Sequence, residues 1–126
     1  MMKYYLSLGS NINPESNLEL AISALNKILT ETKCSSIYQT QAEGFEGDDF
    51  LNLIFSGESS LAFEDLNKKL KEIEDSSGRD RNTQKFSSRT LDIDIVLQLN
   101  DEEEILFESD EIAKYRFVSE PLEELL

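Results

Sequence analysis

The chain contains no histidine and one cysteine, Cys34, among its 126 residues. A lone cysteine forbids an intrachain disulfide, and without histidine the thiol has no imidazole to serve as its base. Cys34 is therefore expected to be a buried or inert thiol at the entry to a strand. Two prolines and five glycines exclude a low-complexity or tether-like chain. No apolar run approaches the roughly 20 residues of a membrane span, and the N-terminus shows no apolar stretch followed by a cleavage site. A single domain over residues 1–126, a reducing cytoplasmic setting and a monomer are the default expectations. Cations are scarce as well: 12 Lys and Arg against 26 Asp and Glu leave a net charge of -14. Nucleic acid and anionic membranes both call for a basic face, so neither is an expected partner.

What is present has a clear periodicity. Residues 3–8 are aromatic and alternating, as in a strand, and Gly9, Ser10, Asn11 and the Asn13-Pro14 step break it. Ser16 or Asn17 is placed to cap a helix whose apolar face, Leu18 through Leu29, runs to about Glu31. Residues 35–41 and 50–57 read as two further strands around a glycine-containing loop. Residues 61–76 form a second amphipathic helix, with Leu66, Leu70 and Ile73 inward and Gly78 as its stop. Residues 79–89 lack periodicity and read as a long loop, a type often given to function. Residues 91–97 are a strand, 100–104 an acidic turn, 105–107 a short edge strand and 115–118 an extended segment. From residue 120 a helix or tail begins. The order βαββαβ predicts an α+β, ferredoxin-like sandwich: an antiparallel sheet with two helices on one face.

Asp92 and Asp94 are the sharpest chemical feature. At i and i+2 of a strand both carboxylates point the same way. Like charges that close repel unless a cation intervenes, and Mg²⁺ favours one or two carboxylates together with substrate phosphates. The plainer reading is a solvated polar face. Arg79, Arg81, Lys85 and Arg89 stand in the loop just before, four of the chain's 12 cations gathered into residues 79–89. Guanidinium groups bind phosphate oxygens bidentately, so acids beside a basic loop suit phosphoryl transfer; salt bridges to local acids are the alternative. There is no phosphate-cradling Gly-x-x-x-x-Gly-Lys loop. Phe50 and Asn52, again i and i+2, pair an aromatic ring with an amide, which suits a flat heterocycle as well as it suits core packing.

The run from Gly78-Arg79-Asp80-Arg81 through Phe86-Ser87-Ser88-Arg89-Thr90-Leu91-Asp92-Ile93-Asp94-Ile95 closely resembles the signature of the 6-hydroxymethyl-7,8-dihydropterin pyrophosphokinases. Leu6 to Asn11, Tyr38-Gln39-Thr40 with Phe50-Leu51-Asn52, and Arg116 to Leu122 resemble further motifs of that family, so the likeness covers nearly the whole chain. It implies diphosphate transfer from ATP to the pterin hydroxymethyl group, in folate synthesis. It implies that Asp92 and Asp94 hold two Mg²⁺ ions and that Arg79 and Arg89 act on the phosphates. Glu74, Arg81 and Ile95 would bind the nucleotide. Phe50 and Phe117 would sandwich the pterin, and Asn52 with Thr40, Ala42 and Glu43 would read its edge. Small-molecule substrates, ATP and a dihydropterin, are the implied partners. The chain departs from the family by lacking its Pro-His motif, by carrying Tyr115 where an arginine is usual, and by Gln41-Ala42 in place of a proline pair. Lys114 and Arg116 are the candidates to supply the missing charge. A relative that binds pterin or nucleotide without turnover is the alternative.

Overall fold

The structure is a computed structural model that describes residues 1–41, 47–78 and 90–126. Ten elements follow one another: β1 (Met2–Ser10), α1 (Pro14–Ile28), β2 (Thr30–Cys34), β3 (Tyr38–Thr40), β4 (Phe50–Ser59), α2 (Phe63–Ser76), β5 (Asp92–Leu99), β6 (Ile105–Glu108), α3 (Glu111–Lys114) and α4 (Arg116–Leu125). The strands form one sheet in the order β2-β4-β1-β5-β6, with β3 also paired to β4, and every pairing is antiparallel.

The central strand β1 buries both faces, which explains its aromatic and apolar run. Tyr4, Leu6 and Leu8 point to the side covered by α1 and α2, where they meet Leu18, Leu25, Leu66, Leu70 and Ile93. Tyr5 points to the other side and packs with Ile54, Val96, Val118 and Leu122. That second layer belongs to α4 and is an addition to the expected two-helix arrangement. Residues 115–118 are not an extended segment: Arg116–Leu125 is helical. Helical spacing places Val118 and Leu122 on one face, and an apolar sheet surface is there to receive them.

Three local expectations also give way. Helix α1 starts earlier than Ser16 or Asn17: Pro14 opens its first turn and Asn13, at φ 43°, stands before it. Asn17 instead donates its side-chain amide to the Ile12 carbonyl at 2.6 Å. Of the strand read over residues 35–41 only Tyr38–Thr40 is extended as β3; a separate strand, β2, precedes it along the same edge of β4, and residues 35–37 break the two. Two serines make that break. Ser35 Oγ accepts the Ile54 N–H at 2.9 Å, and Ser36 gives its N–H to Glu124 on α4 at 3.0 Å. Side chains that bond the backbone in this way compete with a regular ladder. Cys34 is exposed, because β2 is an edge strand with little covering it, so the expectation of a buried thiol is corrected. Its pKa is nonetheless raised, by partial desolvation and then by Glu124, which keeps it a poor nucleophile.

Helix α2 ends as its sequence suggests. Gly78 follows its last turn at φ +83°, a left-handed conformation that costs glycine little and other residues more. Among the described residues no helix is long and apolar enough to cross a membrane.

Candidate active site

The site is organised by register across the three central strands. Gly9 on β1 pairs with Asn52 on β4 and with Asp92 on β5; Ser7, two residues earlier, pairs with Ile54 and Asp94. Cross-strand partners share a face, and so do residues two apart. Asn52, Phe50, Asp92 and Asp94 therefore stand on the α4 side of the sheet. The Phe50–Asn52 pair and the acid pair are separated by two strand spacings, about 10 Å.

Asn52 is 5% exposed and held firmly. Its Nδ2 donates to Thr40 Oγ1 at 2.9 Å and to the Tyr38 carbonyl at 3.4 Å. Its Oδ1 faces Gly9 so closely that a Cβ on Gly9 would lie 3.0 Å away, with Phe50 at 3.9 Å. Thr40, Phe50 and Asn52 are thus one local group on β3 and β4. Phe117 lies at the start of α4, stacked on Tyr115 with ring centroids 4.9 Å apart, and packs against the second core layer.

The acids occupy the first residues of β5, beyond the stretch that β6 covers. Strand β6 pairs with β5 only along Leu97–Leu99. Further back, the Ile93 N–H is taken by Glu74 of α2, whose Oε2 accepts it at 2.7 Å. Glu74 is 0% exposed. Its carboxylate takes a main-chain donor that a neighbouring strand would otherwise take, a structural duty beside the nucleotide contact that the resemblance implies. Ile95 is 6% exposed and belongs to the helix-side core, which leaves its main chain for any nucleotide contact.

Asp94 is strongly perturbed. Its pKa is pushed up to about 7, first by desolvation and then by the like charge of Asp92, with smaller contributions from Glu111 and Glu74. Lys71 on α2 works in the opposite direction: its Nζ is 3.8 Å from Asp94 Oδ1 and 3.5 Å from Glu74 Oε1. On α3, Glu111 also has a raised pKa, through burial and then Asp92. Neither Lys71 nor Glu111 was a sequence candidate. Both reach the acids through space from separate helices, and no spacing rule points to them. Lys114, expected to add charge for the nucleotide, is paired with Asp110 at 3.0 Å. Arg79, Arg81, Lys85, Arg89, Ala42 and Glu43 lie outside the described residues.

The donor set fits magnesium. Two carboxylates on one face repel each other, a hard divalent ion relieves that repulsion, and all the donors are oxygens. Among the described residues no three metal-binding side chains converge to hold an ion by themselves. Mg²⁺ commonly takes one or two carboxylates and fills its remaining positions with phosphate and water.

Comparison with known proteins gives the same direction. Residues 5–126 match the family described as 7,8-dihydro-6-hydroxymethylpterin-pyrophosphokinase. A 2-amino-4-hydroxy-6-hydroxymethyldihydropteridine pyrophosphokinase of Aquifex aeolicus is 37% identical over 99 residues, covering 77% of this chain and 61% of the relative. A protein of the same name from Bacillus subtilis is 34% identical over 128 aligned positions, 96% of this chain and 76% of the relative. The matched part is thus about three-fifths of the Aquifex protein's length. With the match running from Tyr5 to Leu126 and through both the amide strand and the acid strand, the chain belongs to the 7,8-dihydro-6-hydroxymethylpterin pyrophosphokinase family.

Proposed function

We propose that the chain transfers diphosphate from ATP to the hydroxymethyl group of 6-hydroxymethyl-7,8-dihydropterin, releasing AMP, as a step of folate synthesis. One observation carries this reading: an amide held for ring recognition and a magnesium-type acid pair face the same way on either side of Gly9. A ring bound at Asn52 has its hydroxymethyl arm within reach of the acids about 10 Å away.

The pterin oxygen forms a bond to the β-phosphorus, the bridge between the α- and β-phosphates breaks, AMP leaves, and the hydroxyl proton passes to solvent. Two magnesium ions, when bound, neutralise phosphate charge and make the hydroxyl easier to deprotonate. Asp92 and Asp94 hold that metal and orient it. Thr40 fixes the Asn52 amide so that its oxygen stays toward the ring site, with the main chain at Ala42 and Glu43 completing the edge. Phe50 and Phe117 stack on the pterin faces. Arg79 and Arg89 stabilise the charge that develops on the phosphoryl oxygens, and Arg81, with Glu74 and the Ile95 main chain, holds the nucleotide. We read the sheet order as the ferredoxin-like arrangement and residues 1–126 as one domain, acting as a cytoplasmic monomer on small molecules.

The test is AMP formation from ATP and Mg²⁺ with and without the dihydropterin. Pterin-dependent AMP is expected. Folded protein that binds a non-hydrolysable ATP analogue with magnesium yet yields no AMP would replace this reading with binding without turnover.

A further inference from the structure

The acid pair has a cation of its own. Lys71 sits one turn before Glu74 on α2 and reaches the start of β5, its Nζ 3.5 Å from Glu74 Oε1 and 3.8 Å from Asp94 Oδ1. Ordinary surface ion pairs matter little because both side chains are free to move. This one differs in its anchor. Glu74 is fully buried and bonded to the Ile93 N–H, the residue next to Asp94. The carboxylate that steers Lys71 is therefore fixed relative to the acid that Lys71 approaches. Three acids act on Asp94 from three elements: Asp92 on its own strand, Glu111 on α3 and Glu74 on α2. Among the described residues, Lys71 is the cation acting against them.

We infer that Lys71 is a positioning residue that serves as the resident counter-ion of the metal site: it holds Asp94 when no metal is present and competes with a divalent ion that arrives alone. The inference rests on the magnesium reading above and adds a regulatory consequence to it. A divalent ion on Asp94 would lie about 2.1 Å from a carboxylate oxygen. It would then stand within a few ångströms of the ammonium, where repulsion between the two positive charges remains appreciable even under near-surface screening. Metal alone therefore loads weakly. Metal arriving with a nucleotide brings phosphate charge that offsets the ammonium, so loading is coupled to the substrate.

The experiment is a titration with Mn²⁺, a paramagnetic stand-in for Mg²⁺, of nucleotide-free protein, with free Mn²⁺ read by electron paramagnetic resonance. Lys71→Met is expected to bind Mn²⁺ about three- to tenfold more tightly than the unaltered chain. Lys71→Arg, which keeps the charge, is expected to bind as the unaltered chain does. Lys71→Gln, shorter and neutral, gives the same comparison if the methionine variant folds poorly. Unchanged or weaker Mn²⁺ binding in folded neutral variants would overturn the counter-ion role and leave the metal site standing. Mn²⁺ binding that persists in Asp92→Asn/Asp94→Asn, or is absent from every variant, would overturn the metal reading itself and this inference with it.

Discussion

Asn52 and Asp92 never touch, yet both are register partners of one residue, Gly9, from opposite sides of β1. A glycine at that crossing leaves the floor between them bare. The space is already tight on the Asn52 side, where an added Cβ would come within 3.0 Å of Oδ1. The amide cannot retreat easily, because its nitrogen is committed to Thr40 and Tyr38.

Gly9→Ala should therefore act on the proposed ring site and spare the proposed metal site. Dihydropterin affinity is expected to fall about tenfold, the equivalent of roughly one hydrogen bond lost or badly aligned. Mn²⁺ affinity should stay put. Isothermal titration of both ligands checks this. In an Asn52→Ala background the same glycine change should cost little more, and an equal cost there would show that Gly9 acts elsewhere.

Asp94→Asn should abolish turnover and, in the chelated protein, raise stability. A carboxyl whose pKa moves from 3.8 in the open chain to about 7 in the fold contributes its stability fully below the lower value. It loses that contribution as pH rises through the upper value. The ionised group is thus a burden at pH 8 and harmless below about pH 4. Solvent screening of a side chain 39% exposed keeps the effect modest. A melting temperature about 2–4 °C higher than the unaltered chain at pH 8, with the gap closing in acid, is the expected result in calorimetry with EDTA. A lower melting temperature at pH 8 would contradict it.

Glu74→Leu should destabilise through the buried Ile93 N–H, which would lose its acceptor. Leaving a buried donor unsatisfied costs about 1–3 kcal/mol. Glu74→Gln keeps a side-chain oxygen for that bond and should lose less. Urea denaturation of the pair separates the two effects, and equal losses would mean that the Ile93 bond is not what matters.

Glu124 ties the end of α4 to the sheet, accepting bonds from the Ser36 N–H at 3.0 Å, the Ser36 hydroxyl at 2.7 Å and the Tyr38 hydroxyl. These donors hold its pKa below the usual value of 4.5, the Ser36 N–H most strongly. A depressed acid contributes stability above its open-chain pKa and loses it as pH falls through the folded value. Amide exchange at Tyr38–Thr40, corrected for intrinsic rate, should rise several-fold in Glu124→Gln at neutral pH. The unaltered chain should show the same rise only below about pH 4.5. No change in the variant would show that α4 docks through its apolar face alone.

Strand β5 and helix α2 were legible without coordinates because alternation and the 3.6-residue period are local. Each short stretch of chain repeats the same demand for one buried face. The acid pair was legible for the same reason, and the family through the fixed spacing that joins the pair to Arg89. Other features depended on what came to lie next to what. The break at residues 35–37 needed Ile54 and Glu124 as partners for its serines. Residues 115–118 look fit for a strand, with Tyr115, Phe117 and Val118 among them, yet α4 forms because Tyr5, Ile54 and Val96 offer its apolar stripe a place to bury. Lys71 and Glu111 meet the acids because α2 and α3 come to lie beside the start of β5, beyond the stretch that β6 covers. Periodicity sets which face a side chain joins. Coulomb forces act over distance in space, and only the folded chain decides which charges end up close enough to be felt.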